Sequence, residues 1–300
     1  MTNKLRPLLA TEVKNLKDLK LPMLASVKLD GIYALIVDGV IYSRSFKPIK
    51  NKHVQKLFGN RDLNGLVGEL VCGDVYAEDV FRQTTTATMA EDGVNDVKLY
   101  VFDDWSVGDK SYQERYQHYQ SRIKVLNHGS IVALEHNMLH TIDEVITALD
   151  KEQKRNGEGI ILRLPSAKWK NGRSTPKSQE SVKLKFFEQQ EYKIVDVVER
   201  MHNANEAKVN EMGYTERSSH KDNMIPMNTF GAFVMELQDG RNFNVGSGLG
   251  LTDVVRKEIW NNRDKYIGKI ATVRQMKVGS KNGIPRLPTF VGLRDKDDMS

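Results

Sequence analysis

The stretch LASVKLDGIYALIVDGVIYSR, residues 24–44, decides the architecture of the first half of the chain. Its short runs of Val, Ile, Leu and Tyr have the composition of strands, and Asp38-Gly39 between two of them predicts a tight hairpin. Lys28 falls at the end of the first run. Asp30 and Gly31 follow, and the glycine is expected to supply the φ > 0 backbone of a tight turn. Alone this string says little, because K-x-D-G arises by chance in roughly one 300-residue chain in ten.

Upstream, Leu5, Leu8, Leu9, Val13, Leu16 and Leu19 recur at mostly three- and four-residue spacing, which predicts one or two short helices stopped by Pro22. Downstream, strands are expected over 66–72 and 97–102, with a polar loop or short helix, FRQTTTATMAEDG, between them. Tyr112, Tyr116, Tyr119, Ile123 and Leu126 have helical spacing, and their tyrosine stripe is expected to be core. Thr141 to Glu144 reads as a capping box opening a second helix that ends near Gly157. GIILRL and SVKLKFF read as strands around a basic loop, 165–180. Beyond residue 187, EYKIVDVVE, FGAFVMEL, NFNVGS, KIATVRQMK and TFVGLR predict five short strands with one helix near 252–262 between the third and fourth, the outline of an OB barrel. The polar stretch 200–228 reads as a flexible element or a disordered loop. The expected class is α+β: antiparallel sheets with flanking helices over 1–187, then an OB-fold β-barrel over 188–300.

Composition narrows the functions. No apolar run approaches the roughly 20 residues of a membrane span, and the N-terminal 22 residues lack the apolar core of a secretory signal, so a cytoplasmic location without membrane contact is expected. One cysteine, Cys72, in the apolar run LVGELVC, is expected to be buried and inert. His136 and His140 have i, i+4 spacing without the glutamate of a zinc helix, and are expected on a surface or helix face with no assigned role. The net charge of +6 favours a polyanionic partner without naming one.

An ordered series of short motifs is more specific. After Lys28-Leu29-Asp30-Gly31 come Ser43-Arg44-Ser45, Gly68-Glu69-Leu70, Tyr100 to Asp103, Glu158-Gly159-Ile160, Val182-Lys183-Leu184-Lys185 and Arg294-Asp295-Lys296. In this order, and with most on predicted strand ends, the series resembles the motif series of the covalent nucleotidyltransferases, and the ATP-dependent DNA ligases of small bacteriophage type above all. The match spans nearly the whole chain. It implies an adenylation (nucleotidyltransferase) domain followed by the OB domain, with Lys28 as the nucleophile that takes AMP from ATP. AMP then passes to the 5′-phosphate of a nick in duplex DNA, and the 3′-hydroxyl attacks and releases it. A lysine amine attacks only when neutral, and an ordinary one is neutral at pH 7 in about one molecule in 2,500. The resemblance therefore implies a counterweight: magnesium, with manganese as a substitute, held by Asp30 and Glu158.

By the same resemblance Phe102 stacks on adenine, Glu69 binds the ribose, Ser26 and Val27 border the base, and Arg44 contacts the ribose or nick phosphate. Lys183 and Lys185 hold the α-phosphate. Arg294 and Lys296 swing onto the β- and γ-phosphates. DNA is expected to lie across Arg44, Ser45, Lys168, Lys170, Arg173 and Lys177, held by phosphate contacts. Tyr33 departs from the family, where arginine is common. A monomer is expected. An RNA ligase, a capping guanylyltransferase, or a non-catalytic OB protein fused to a decayed core are the alternatives.

Overall fold

Ile32–Val37 and Val40–Ser43 form the hairpin expected around Asp38 and Gly39. The computed structural model describes residues 5–281 and 283–294, in two units, Met1–Phe186 and Phe187–Ser300. In the first unit the hairpin edges a five-stranded sheet ordered Val40–Ser43, Ile32–Val37, Leu66–Cys72, Val97–Asp104, Ile131–Ala133, antiparallel except for the last pair. A second, antiparallel sheet runs Ser181–Lys185, Gly159–Arg163, Met23–Val27, Asn137–Leu139. Met23–Val27 and Ile32–Val37, consecutive in the chain, thus lie in different sheets. Residues 28–31 cross between the sheets and close no hairpin.

That crossing corrects the role expected of Gly31, which does not take a positive φ. What it supplies is space. A Cβ there would lie 2.1 Å from the Leu70 carbonyl oxygen and 2.9 Å from Glu69 Cγ, so only glycine lets the crossing pass against the strand that carries Glu69.

Each sheet buries one face under helices. Phe58, Leu66, Val101 and Tyr119 join the core of the five-stranded sheet, and Met23, Val145, Ile160 and Val182 that of the four-stranded sheet. A side chain such as Phe58 or Leu66, fully removed from water, contributes about 1.5–3 kcal/mol. The tyrosine stripe lies on the helix Tyr112–Leu126, with Tyr112 and Tyr119 fully buried as expected. Its N-terminus carries a complete capping box, Ser111 with Glu114. At the next helix, Ile142–Lys154, Thr141 caps the Glu144 N–H, but the Glu144 carboxylate accepts from the His140 N–H, so the box expected there is only half made. The polar segment after Cys72 contains a helix, Val80–Met89.

Other expectations change. The N-terminal segment is mostly extended, with one 3-10 turn at Leu16–Asp18 and a two-residue strand, Leu8–Leu9, parallel to Gly172–Arg173. Its carbonyls are taken by distant donors, Leu9 by the Ser174 N–H and Ala10 by the Arg173 guanidinium, which displaces helical pairing. His136 is on neither a helix nor the surface. It is buried between Tyr112 Oη (2.9 Å) and Tyr119 Oη (3.3 Å), and burial lowers its pKa to about 4, so the imidazole is neutral.

The second unit is a five-stranded barrel of order Asn242–Val245, Met224–Glu236, Phe187–Asn203, Ile270–Lys281, Ile284–Leu293. The Phe290 N–H donates to the Ser247 carbonyl at 2.8 Å, bringing the last strand back to the segment after the third. The helix Asp253–Asn261, capped by Thr252, sits between the third and fourth strands in sequence, as predicted. Ile194, Phe230, Phe233 and Met235 fill the interior. The first two strands are long, 17 and 13 residues, because they continue into the polar stretch as a paired arm, Asn203 opposite Met224. A small hairpin, Ala207–Val209 with Thr215–Arg217, completes it. The buried Asn205 amide bonds the carbonyls of Ser218 and His220. This segment is therefore built, and is not a loop without structure. Among the described residues no helix is long and apolar enough to cross a membrane.

Candidate active site

Strand alternation puts the motif side chains on one face. In the four-stranded sheet Lys183, Ile161 and Ser26 are register partners, and Lys185 pairs with Gly159, whose carbonyl accepts the Lys28 N–H at 2.9 Å. Side chains two apart on a strand share a face, so Ser26, Ile161, Arg163, Lys183 and Lys185 line one wall of a cavity of about 200 Å³. Tyr33, Glu69 and Phe102 of the other sheet line the opposite wall, and Val27, Lys28 and Arg44 also border it. Arg173, expected to meet DNA, reaches the cavity too.

The centre is a three-membered charge cluster. The Lys28 ammonium is ion-paired with Glu158 Oε2, and Lys185 Nζ lies 2.5 Å from Glu158 Oε1. The Glu158 side chain is 2% exposed. Burial alone would raise its carboxyl pKa, but the Lys28 and Lys185 charges bring it below the usual range. Burial lowers Lys185 in turn, with the Lys28 charge adding to that and Glu158 opposing it. Gly159 makes this possible: its φ is +142°, and a Cβ would stand 2.0 Å from the Leu184 carbonyl. Lys183 pairs with Glu12 at 3.2 Å.

Glu69 lies across the cavity, where burial raises its pKa to about 8; Lys28 opposes this, Glu158 and Asp30 reinforce it, and the Gly31 N–H bonds to it. Asp30 is thus close enough to act on the same group. Phe102 is half-buried, with the Arg163 guanidinium 5.3 Å from its ring centroid and the Tyr33 ring at 5.7 Å. Beneath it Asp103, fully buried, takes Arg115 at 2.7 Å and Arg163 at 3.5 Å. Arg115, also buried, gives its remaining donors to the carbonyls of Lys110 and Ala167, and Tyr112 Oη donates to the Phe102 carbonyl at 2.8 Å. This network fixes the ring from behind; Asp103 was quoted within its motif and Tyr112 read as part of a core stripe, but Arg115 and Arg163 were not singled out from the sequence.

The remaining predicted residues are dispersed. Arg44, Ser45, Lys168 and Lys177 are exposed, while Lys170 is tied to Glu180 at 3.2 Å. Arg294 lies in the second unit, its Nε 2.5 Å from Glu191 Oε1. Lys296 lies outside the described residues. Leu8, Leu9 and Ala10 line the cavity without having been foreseen. Ile161 and Arg163 were legible from period-two alternation after Gly159.

A lysine between two largely antiparallel sheets, acids beside it and an OB barrel to follow are the features of a nucleotidyltransferase fold. Family comparison gives the particular kind. Residues 7–185 match the model of the ATP dependent DNA ligase domain, and residues 226–294 that of the DNA ligase OB-like domain. The chain belongs to the ATP-dependent DNA ligase family. Chlorella virus DNA ligase-adenylate is similar at 28% identity and a TM-score of 0.55 over 98% of this chain and 99% of that one. A Lig E DNA ligase has the same fold, with a TM-score of 0.71 at 20% identity over 98% and 100% of the two chains. No curated protein sequence matches the chain. The protein is an ATP-dependent DNA ligase.

Proposed function

We propose that Lys28 is the residue that carries AMP, and that the enzyme seals nicks with a 3′-hydroxyl and a 5′-phosphate. The observation that carries this is the Lys28–Glu158–Lys185 cluster, whose two lysines line a cavity also walled by Phe102 and Glu69. Lys28 Nζ attacks the α-phosphorus of ATP, forming a P–N bond while the bond to the β-phosphate oxygen breaks and pyrophosphate leaves. An oxygen of the nick 5′-phosphate then takes the AMP and frees the lysine. Finally the 3′-hydroxyl attacks that 5′-phosphorus and AMP departs. Lys183 and Lys185 neutralise charge on the α-phosphate as it develops. Phe102 stacks on the base, Glu69 bonds the ribose hydroxyls, and Ser26 and Val27 border the base.

Magnesium fits the donors present. Among the described residues no three metal-binding side chains cluster, but magnesium commonly rests on one or two carboxylates and the substrate's phosphates. Asp30 and Glu158 would hold it, directly or through water, and it would offset phosphate charge. Binding there would also draw Glu158 away from its two lysines.

DNA runs over exposed Arg44, Ser45, Lys168 and Lys177, with Arg173 at the cavity, by phosphate contacts that weaken with salt. Lys170 joins them only on leaving Glu180. Arg294 and Lys296 serve the β- and γ-phosphates. The enzyme acts as a monomer in the cytoplasm.

The test is incubation with magnesium and ATP or GTP labelled at the α-phosphate, then addition of a nicked duplex. Label from ATP alone, lost as the nick is sealed and absent in Lys28→Ala, is expected. AMP transfer retained by Lys28→Ala overturns the assignment of the nucleophile.

A further inference from the structure

Phe102, the ring proposed to receive the base, sits at a break in its strand. Val67 pairs with Asp103 and Gly68 with Val101, so Phe102 has no register partner there, nor on Ile131–Ala133, the strand on its other side. A bulge of this kind re-aims a side chain and leaves a backbone group outside the ladder. The Phe102 carbonyl is taken instead by Tyr112 Oη at 2.8 Å. A carbonyl only accepts, so the single hydroxyl proton of Tyr112 is spent there. Tyr112 Oη also lies 2.9 Å from His136 Nε2, and with its proton spent it can only accept. That contact closes when Nε2 carries the imidazole proton. Burial keeps the ring neutral, so Nδ1 is then an acceptor. Tyr119 Oη stands 3.3 Å from Nδ1 and 3.2 Å from the Leu134 carbonyl, and its proton lies between the two. The opposite tautomer would give an Nδ1–H to Leu134 at 3.0 Å, draw the Tyr112 proton to Nε2 and take it from Phe102. Leu134 keeps Tyr119 as a donor in either tautomer, whereas Phe102 keeps Tyr112 in only one, and an unserved buried carbonyl is the costlier outcome. The His136 backbone N–H donates to Tyr116 Oη at 3.1 Å, which holds the residue in place.

We infer that His136 is a positioning residue for nucleotide binding: its Nε2–H holds the Tyr112 hydroxyl toward the Phe102 carbonyl, and so fixes the ring on which the adenine stacks. This rests on Phe102 receiving the base as proposed above. His136 does not itself line the cavity. It acts only through Tyr112.

Glutamine and asparagine divide the imidazole between them. A Gln amide nitrogen can stand where Nε2 does, and an Asn amide nitrogen only where Nδ1 does. His136→Gln is therefore expected to keep the KM for ATP in lysine adenylylation within about twofold. His136→Asn and Tyr112→Phe are expected to raise it about 3- to 10-fold, the range for one neutral hydrogen bond, with kcat little changed. A loss of folded protein alone would lower kcat and leave KM in place. Nitrogen-15 NMR of the wild type, with the His136 signals assigned by their loss in His136→Gln, is expected to show the proton on Nε2. A proton on Nδ1, an unchanged KM in His136→Asn, equal rises in the Gln and Asn variants, or losses confined to kcat each overturns the inference. Phe102→Ala isolates the premise: a KM that it leaves unaltered removes the base from this ring, whereas a raised KM there beside a wild-type KM in His136→Asn removes His136 alone.

Discussion

Glu158 meets Lys28 on one carboxylate oxygen and Lys185 on the other, so a single buried acid holds together the lysine proposed as nucleophile and the lysine proposed to bind the α-phosphate. Its neutral isostere tests that duty. Glu158→Gln leaves two ammoniums facing each other without a counter-charge, and breaking a buried pair of this kind typically costs about 3–5 kcal/mol. Denaturant unfolding should show a loss of that order. Lysine adenylylation should fall at least about 100-fold, on the scale of losing one preorganised electrostatic partner. Unchanged stability would mean the cluster is looser than its geometry.

Gly31→Ala addresses the crossing between the sheets. The new Cβ meets the Leu70 carbonyl and Glu69 Cγ at 2.1 and 2.9 Å, and backbone does not yield cheaply. A loss of about 1–3 kcal/mol is expected from the overpacking. Because Glu69 is pushed, KM for ATP should rise as well. A variant with native stability would show that the crossing has room to move.

Glu69 makes stability depend on pH. Its folded pKa is raised, from the ordinary value of 4.5 to about 8, so between those values the folded protein keeps a proton that the unfolded chain has released. Stability from this group is complete below about 4.5 and is lost as pH rises through about 8. Melting temperature should therefore decline over that window, and Glu69→Gln should flatten the decline. Identical profiles for the two proteins would contradict the protonated state.

The residues proposed for the chemistry were more legible in the sequence than those that support them. Lys28, Glu158, Lys183 and Lys185 could be picked out because each stands in a motif series that resembles that of the covalent nucleotidyltransferases, and alternation then puts 183 and 185 on one face. Asp103, Arg115 and Arg163 could not be grouped so. Arg163 lies 60 residues from Asp103 in the chain, and buried charges that satisfy one another look like surface charges in a composition. The N-terminal leucines misled because helical spacing does not reveal where the backbone pairs: Leu8 and Leu9 reach the cavity, Val13, Leu16 and Leu19 pack on the core of the four-stranded sheet, and the carbonyls of Leu9 and Ala10 are taken by distant donors. Gly31 was correctly marked as special, but its reason, close approach to Leu70, belongs to a neighbouring strand that spacing cannot reveal.

Arg294 tests whether the second unit serves only the first chemical step. Its contact with Glu191 is half open to solvent, and such pairs hold weakly, so the guanidinium can be given up to a triphosphate at little cost. A charged contact to phosphate contributes about 10- to 100-fold. Arg294→Ala should therefore slow charging by ATP by that factor while sealing of a pre-adenylylated nick, which needs no pyrophosphate to leave, stays within about twofold. The two rates measured on one preparation decide the matter: equal losses in both steps would place Arg294 on the DNA and remove it from the triphosphate.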